Sequence, residues 1–270
     1  MLKQRIITAL VLVVIALGAL FGANELGWQL AIIGLSMIAA WEWCQFARIE
    51  KWALKLSYVG LTVVVIGLAI YIDYAPLIGY LALVQLIVVV VAVSRYQLTA
   101  GQAVLQNPVV NAFIGLVFIL SFALAMIALR EAPFSAWILL FSMLMIWVMD
   151  SGAYFAGRRF GQRKLALHVS PGKTWEGVVG GIVLALIVSA AVWWVWAAQL
   201  EQQPGLVVFV LFSSLIAALS VYGDLFESLL KRQVGIKDSG KILPGHGGVL
   251  DRIDSLLLAM PLFWVFWSLV

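Results

Sequence analysis

The chain has 270 residues, of which 64% are hydrophobic and 11% are charged, and its formal net charge at pH 7 is +4. Soluble globular proteins average roughly 45–50% apolar and about 25% charged residues, so this composition excludes a soluble fold. The apolar runs reach the roughly 20 residues that a membrane-spanning helix needs. The sequence therefore predicts an all-α, polytopic transmembrane protein.

Nine apolar segments follow one another along the chain, and each is predicted to cross the bilayer as a helix. They comprise residues 6–21, 26–40, 54–72, 76–93, 109–129, 134–149, 175–198, 206–222 and 253–270. Lys3 and Arg5 precede the first span, but no A-x-A-like cleavage site follows it, so we expect an uncleaved membrane anchor.

The basic residues predict the orientation of these spans. If the N-terminus lies in the cytoplasm, every one of the 17 Lys and Arg residues except Arg130 lies on the cytoplasmic side. Basic residues concentrate on that side of membrane proteins, so the asymmetry supports both the span count and the topology. The distribution of the basic residues is explained by this topology and does not require nucleic-acid binding. We therefore expect anionic lipid headgroups, and no nucleic acid, as partners.

Ionisable residues are distributed unevenly between the two halves of the chain. Residues 1–149 have short loops with scattered charge and are predicted to form a helical scaffold. Residues 150–270 contain two long polar segments, residues 150–173 (the first polar segment) and residues 223–252 (the second polar segment). Both are predicted to be cytoplasmic. We expect one integral-membrane domain in which residues 150–270 are the catalytic half.

The second polar segment begins with a carboxylate-rich stretch. Asp224, Glu227, Ser228 and Lys231 are spaced three, four and seven residues apart, so they share one face if the eighth span continues as a helix. A carboxylate, a hydroxyl group and an ammonium group would then line one groove. This groove is a candidate binding site for a metal ion and a phosphate group.

The same segment ends with a second pair of carboxylates. Asp251 and Asp254 are three residues apart at the start of the last span, and such a pair can hold Mg²⁺ together with substrate phosphate. A simpler alternative is that both residues complement a helix N-terminus and pair with Arg252. Acidic residues at the end of a membrane-spanning segment nevertheless favour a functional role.

A glycine-rich stretch lies between these carboxylates. Lys237 and Lys241 can neutralise phosphate oxygens, and Gly247 and Gly248 allow backbone amides to approach an anion. The stretch lacks the spacing of a Walker A motif. His246 is a candidate hydrogen-bond donor to phosphate, a candidate general base or a structural residue. A base is not required, because a phosphate monoester is already ionised near neutral pH.

The first polar segment has similar chemistry. Asp150 ends the sixth span, and the run SPGKTWEG occupies residues 170–177. Ser170, Pro171 and Gly172 are predicted to form a turn, after which Lys173 could contact a triphosphate at the start of a helix. Asp150 and Lys173 are therefore expected to complete the site formed by the second polar segment.

Several motifs resemble those of the phosphatidate cytidylyltransferases, also called CDP-diacylglycerol synthases, of bacterial inner membranes. They are SLLKRQVGIKDSGKILPGHGGVLDRID at residues 228–254, DSGAY at 150–154, SPGKTWEG at 170–177, GDLFES at 223–228 and the opening MLKQRIITA. The resemblance covers nearly the whole chain. It implies that CTP and phosphatidate react to give CDP-diacylglycerol and pyrophosphate, with Mg²⁺ as cofactor and a homodimer as the assembly.

The resemblance also implies roles for individual residues. The implied metal ligands are Asp224, Asp251, Asp254 and Asp150, and whether one or two metal ions bind is left open. The implied catalytic residues are Asp224, Asp251, Lys237 and His246. The implied substrate contacts are Ser228, Lys231, Lys173, Lys241, Gly247, Gly248 and Arg252.

Two other classes of function compete with this interpretation. An ion-coupled transporter would be expected to carry ionisable residues within its spans, whereas the charges here collect at predicted span ends. Another lipid-headgroup enzyme, such as a CDP-alcohol phosphotransferase or a lipid kinase, is the second alternative. The DGxxAR pattern of the phosphotransferases is absent from the chain.

Overall fold

The computed structural model of the protein describes residues 2–72, 74–102, 104–131, 134–196 and 204–270. These ranges contain nine helices and two short strands. In chain order they are α1 (Leu2–Gly22), α2 (Glu25–Phe46), α3 (Trp52–Ile70), α4 (Ala75–Leu98), α5 (Pro108–Ala128), α6 (Ala136–Phe160), β1 (Lys164–Ala166), β2 (Ser170–Thr174), α7 (Trp175–Trp196), α8 (Leu206–Val234) and α9 (Leu250–Leu269).

Seven of the described helices, α3 to α9, are long and apolar enough to cross a membrane. In α1 the apolar part, Leu10–Gly22, is shorter. Helix α2 has sufficient length but carries the polar residues Glu25, Gln29, Ser36, Glu42 and Gln45. The protein is thus a predominantly helical, polytopic membrane protein.

Local sequence signals explain where several helices begin and end. The side chains of Asn24, Asn107 and Ser135 accept hydrogen bonds from backbone amides in the first turns of α2, α5 and α6, respectively. These residue types are favoured at helix N-termini because they satisfy amides that have no partner within the helix. Gly235 ends α8 with φ of +72°, a conformation that glycine adopts without steric cost.

The most buried membrane-crossing helices are α5 and α9, whose apolar windows are 72% and 67% buried, whereas α7 is 17% buried. The centre of the bundle therefore consists of α5 and α9, and α7 is peripheral. Aromatic side chains fill one part of this core, with the Phe141 ring stacked 5.0 Å from Phe209 and the Trp267 ring edge-on to both. Burying these rings contributes most of the apolar packing there.

Contacts between distant segments define one end of the bundle, which we call the polar end. They join the start of α1 and the end of α2 to the loop between α8 and α9. They also join the end of α4 to the turn between β1 and β2, and the start of α5 to the end of α2. The contacts are Thr8 Oγ1 to Pro244 O (3.2 Å), Gln45 Nε2 to Ser239 O (2.7 Å), His168 N to Gln97 Oε1 (3.2 Å) and Asn111 Nδ2 to Phe46 O (3.0 Å).

A second set of contacts lies at the opposite end. Arg130, just after α5, donates hydrogen bonds to the carbonyl oxygens of Leu20 and Ala23. Trp28 Nε1, near the start of α2, donates to Met126 O at 3.0 Å. The end of α1, the start of α2 and the end of α5 thus lie together, so consecutive helices alternate in direction through this part of the bundle.

The structure differs from the predicted elements at the polar end. Helices α6 and α8 continue to Phe160 and Val234, although their spans were predicted to end at residues 149 and 222. Ser170–Thr174 forms strand β2 in place of the predicted turn, and it pairs antiparallel with β1. The all-α prediction is confirmed for the architecture as a whole, to which the structure adds this short hairpin. The predicted end of the seventh span, residue 198, lies outside the described residues.

Candidate active site

A cavity of about 750 Å³ opens at the polar end, where α6, β2, α7, α8 and α9 meet. Its lining brings residues of the two polar segments together. The charged or polar residues among them include Asp150, Tyr154, Arg158, Ser170, Lys173, Thr174, Asp224, Asp251, Arg252 and Asp254. The sequence-based expectation that Asp150 and Lys173 lie beside the second polar segment agrees with this geometry.

Small residues allow α6 and α7 to approach closely beside the cavity. A Cβ added to Gly152 would lie 2.9 Å from the Gly181 Cα, and one added to Gly181 would lie 2.7 Å from the Met149 carbonyl oxygen. Atoms cannot approach this closely without a shift, so larger residues would force the helices apart. This contact positions Asp150, on α6, against the start of α7.

The hairpin of β1 and β2 carries Lys173 into the cavity. Lys173 Nζ lies 2.7 Å from Asp224 Oδ2 and donates a hydrogen bond to the Val221 carbonyl oxygen at 3.4 Å. The next residue, Thr174, accepts a hydrogen bond from the Gly177 amide, which fixes the junction with α7. The side chains of Lys173 and Asp224 are 24% and 32% exposed, so this ion pair is accessible from the cavity.

Three carboxylates, those of Asp150, Asp224 and Asp254, line the same cavity and interact electrostatically. Asp224 is also hydrogen-bonded to Ser228, with 3.3 Å between Ser228 Oγ and Asp224 Oδ1. Lys173 neutralises only part of this negative charge. A cavity with excess carboxylate favours a cation, and the nearby Arg and Lys side chains favour an anion bound with it.

Lys231 lies in a more deeply buried group of charges. Its Nζ atom is 2.6 Å from Glu227 Oε2 and 2.7 Å from Asp251 Oδ1. The side chains of Lys231, Glu227 and Asp251 are 16%, 3% and 6% exposed. Lys231 was predicted to contact substrate, but in this structure it pairs with two carboxylates of the protein.

The glycine-rich stretch wraps around the second oxygen of Asp251. Oδ2 of Asp251 accepts hydrogen bonds from Ser239 N at 2.8 Å, Ser239 Oγ at 3.0 Å and Gly248 N at 2.8 Å. Gly247 has φ of +85°, and a Cβ there would lie 2.7 Å from the same oxygen. The predicted approach of backbone amides to an anion is present, but the anion that accepts from Gly248 is Asp251.

Of the remaining predicted residues, Lys237, Lys241 and His246 lie away from the cavity lining. Lys237 and Lys241 are exposed on the loop between α8 and α9. His246 is partly buried, its Nδ1 atom has no hydrogen-bond partner among the described residues, and its carbonyl oxygen accepts from Arg252 Nη2 at 2.9 Å. Arg252 lines the cavity, so of these residues it is the one placed to contact a ligand there.

Glu42 and Ser239 were not among the residues predicted from the sequence. Glu42, on α2, is 1% exposed and contacts the start of α9, and Ser239 is fully buried between Glu42 and Asp251. An acidic residue near the end of an apolar helix is a signal that could have identified Glu42. Its partner could not be read from the sequence, because helical spacing relates only residues of one helix.

The residues present fit a divalent metal ion bound together with a nucleotide. Within the described ranges, no three His, Cys, Asp or Glu side chains form a group that could hold a metal ion by themselves. Mg²⁺, however, is commonly held by one or two carboxylates, with substrate phosphates and water completing its coordination. Asp150, Asp224 and Asp254 offer such oxygens. Asp224 and Asp251 each have both oxygens in contact with other groups, but the Asp224 side chain is 32% exposed and that of Asp251 only 6%.

Comparison with known proteins identifies the family. The model of the cytidylyltransferase family matches residues 3–270. A phosphatidate cytidylyltransferase of Pseudomonas aeruginosa is 41% identical over 265 residues, covering 97% of this chain and 96% of the relative. One of Haemophilus influenzae is 35% identical over the full length of both chains, and one of Brucella suis is 34% identical over 98% of this chain. The chain therefore belongs to the cytidylyltransferase family.

Proposed function

We propose that this protein is a phosphatidate cytidylyltransferase, which converts CTP and phosphatidate into CDP-diacylglycerol and pyrophosphate. Relatives of that name match the chain over nearly its whole length. The observation that carries the proposal is the cavity at the polar end, where carboxylates and cations of both polar segments converge beside membrane-spanning helices. A lipid phosphate and a nucleotide triphosphate can meet at such a place.

The reaction joins the two substrates through one new bond. An oxygen of the phosphatidate phosphate attacks the α-phosphorus of CTP, and the bond between that phosphorus and the bridging oxygen breaks to release pyrophosphate. Positioning of the reacting groups and stabilisation of their charge account for most of the acceleration in such transfers. No general base is needed, because the attacking phosphate is already ionised near neutral pH.

Lys173 is the cation with the clearest role in this scheme. It is held at the cavity wall by the hairpin and pairs with Asp224 while remaining accessible. When the triphosphate enters, the ammonium group exchanges from Asp224 to a phosphate oxygen, where it stabilises developing negative charge. Asp224 is then free to bind a cation. Arg252 and Ser228 are further candidate contacts for phosphate.

The metal that we assign is Mg²⁺, with Asp224 as the leading ligand and Asp150 and Asp254 beside it. The chemistry that a bound Mg²⁺ supplies is neutralisation of charge on the phosphoryl oxygens of CTP. The carboxylate of Asp251 accepts hydrogen bonds from Lys231 and Ser239, so we assign Asp251 chiefly to the framework that holds the start of α9. We retain Lys237, Lys241 and His246 as contacts for parts of the substrates that extend beyond the cavity.

The lining of the cavity suits a lipid as well as a nucleotide. Apolar side chains of Trp147, Val178 and Val221 line it together with the charged groups. We propose that phosphatidate keeps its acyl chains in the bilayer and enters sideways between helices, while CTP arrives from the cytoplasm. The catalytic half, residues 150–270, supplies most of this lining.

We further propose nine spans in the inner membrane of a bacterium, with the N-terminus and the polar end in the cytoplasm. The alternating directions of the helices and the concentration of basic residues at the polar end support this topology. A homodimer remains an expectation from the family. Labelling of single cysteines in intact cells tests the topology, and the mass of the detergent-solubilised particle tests the dimer.

One assay tests the proposed activity. Purified protein in detergent micelles is incubated with phosphatidate, radiolabelled CTP and Mg²⁺, and labelled CDP-diacylglycerol is measured. We expect turnover by the wild type and by Asp238→Asn, which changes an exposed carboxylate outside the cavity lining. We expect none by Asp224→Asn. A wild type that gives no more product than Asp224→Asn refutes the proposal, and product formed from diacylglycerol and a nucleotide instead would indicate a lipid kinase.

A further inference from the structure

A carboxylate from the scaffold half of the chain lies directly behind the candidate site. Glu42, near the end of α2, is 1% exposed and contacts the start of α9, more than two hundred residues away in sequence. We propose that Glu42 is a positioning residue for the reaction, which holds Asp251 and the start of α9 in their working geometry. The inference rests on the proposed function, because it assigns Glu42 to that same site.

The carboxylate of Glu42 accepts hydrogen bonds from the backbone amides where the last loop ends and α9 begins. Its Oε1 accepts from Val249 N at 3.1 Å, and its Oε2 accepts from Leu250 N at 2.8 Å. Helix α9 begins at Leu250, and its own N-cap residue, Val249, makes no side-chain cap. Glu42 thus replaces the missing cap from another helix, and its negative charge is favourable at a helix N-terminus.

Two glycines provide the space that this contact requires. A Cβ at Gly248 would lie 2.6 Å from both carboxylate oxygens of Glu42, and a Cβ at Gly240 would lie even closer to Oε1. Any other residue at these positions would have to displace a fully buried carboxylate. The glycine-rich stretch is therefore fitted to Glu42 on one side and to Asp251 on the other.

Ser239 connects Glu42 to Asp251. The Ser239 hydroxyl group lies 3.3 Å from Glu42 Oε2 and 3.0 Å from Asp251 Oδ2, and its backbone amide donates to Asp251 Oδ2 at 2.8 Å. A hydroxyl group has one proton, so it donates to one carboxylate at a time. Gln45, one turn beyond Glu42, donates to the Ser239 carbonyl oxygen at 2.7 Å. Helix α2 thus holds Ser239 at both its side chain and its backbone.

The charge of Glu42 has no cationic partner within 4 Å among the described residues. A fully buried carboxylate without a counter-charge is costly unless hydrogen bonds compensate it. The amides of Val249 and Leu250 and the hydroxyl group of Ser239 supply these hydrogen bonds, and an apolar side chain would leave the two amides without this acceptor. The contacts of Glu42 therefore go to the start of α9 and to Ser239, which binds Asp251 at the cavity.

The test compares Glu42→Gln with Glu50→Gln, an identical change at an exposed glutamate shortly after α2. Glu42→Gln should raise the Mg²⁺ concentration for half-maximal CDP-diacylglycerol synthesis about tenfold and lower kcat by about ten- to a hundredfold, because Glu42 holds the start of α9, which carries the assigned ligand Asp254. Loss of folded protein alone would lower the rate without moving the Mg²⁺ midpoint. In metal-free protein, amide hydrogen exchange in residues 239–251 should accelerate.

Ser239→Ala provides a milder variant if Glu42→Gln does not fold. It removes the bridging hydroxyl group but keeps the backbone bond to Asp251, so a smaller shift of the same sign is expected. Because both residues act on one carboxylate, the double variant should lose less than the product of the single losses. A Mg²⁺ midpoint and exchange rate equal to those of Glu50→Gln overturn the inference. An inactive wild type would refute the proposed function instead.

Discussion

An ion pair and a cluster of three charged residues, both at the polar end, differ sharply in their surroundings. Lys173 and Asp224 meet across two elements at 2.7 Å with side chains 24% and 32% exposed. Lys231, Glu227 and Asp251 also meet at 2.6 and 2.7 Å, but the two carboxylate side chains are only 3% and 6% exposed. Nearly identical distances therefore describe one accessible pair and one enclosed group.

The difference indicates separate roles for chemically similar residues. A pair that remains in contact with the cavity can exchange partners when a charged substrate enters, because water and substrate can replace the lost interaction. An enclosed group cannot, since separating its charges would leave a carboxylate buried without compensation. We infer that Lys173 and Asp224 act on substrate, and that Lys231 maintains the framework that holds Asp251.

The largest expected effect follows from removing the enclosed cation. Lys231→Met leaves Glu227 and Asp251 buried without their counter-charge, and breaking such a pair costs about 3–5 kcal/mol. We expect a large drop in the thermal unfolding midpoint in detergent micelles, with loss of activity as a consequence. Arg232→Met is the matched control at the neighbouring exposed position.

Restoring charge balance should rescue this variant in part. Adding Glu227→Gln to Lys231→Met removes one of the two uncompensated carboxylates, so the unfolding midpoint should rise again. If Lys231→Met unfolds at the same temperature as Arg232→Met, the enclosed group is not a structural framework. The contrast between the accessible pair and the enclosed group would then have no basis in stability.

The accessible pair should behave in the opposite way. Lys173→Met is expected to lower kcat/KM about a hundred- to a thousandfold, the range observed when a single donor to a developing charge is removed. The unfolding midpoint should change little, because Asp224 can be solvated from the cavity. Lys164→Met, at an exposed position on the same hairpin, is the control and should retain activity. Full activity of Lys173→Met would remove it from the site.

The sequence predicted apolar spans and left open how far each helix continues beyond its span. Apolar runs identify spans because the bilayer requires them, yet α6 and α8 continue through Asp150 and Asp224 into polar sequence. The charged side chains face a cavity at the polar end, so they impose no cost that would end the helix. Hydropathy cannot distinguish such a continuation from a loop, since both are polar.

The partners of the predicted site residues could not be read from the sequence. Helical spacing put Asp224, Ser228 and Lys231 on one helical face, and the SPGKTWEG run at a helix start indicated that Lys173 contacts a triphosphate. The pairing of Lys231 with Asp251 and the contact of Glu42 with the start of α9 are products of tertiary packing. The glycine-rich stretch was predicted to approach an anion, but only the structure identifies Asp251 as an anion that it binds.

The smallest expected effect concerns another ion pair, which lies on the surface beside the hairpin. Arg163 Nε is 3.2 Å from Glu176 Oε1, with an Arg163 side chain that is 83% exposed. Exposed pairs contribute little to stability, and Glu176 retains hydrogen bonds from the Gln162 and Arg163 amides when the Arg163 side chain is removed.

Arg163→Ala should therefore leave the unfolding midpoint almost unchanged and alter kcat/KM by less than about twofold, because exposed pairs are screened by water and salt. Steady-state kinetics and thermal unfolding of this variant beside Lys173→Met measure how much burial matters at one hairpin. A loss comparable to that of Lys173→Met would mean that charge near the hairpin, and not access to the cavity, determines its function. The separation of substrate-facing and framework charges would then have to be abandoned for this part of the molecule.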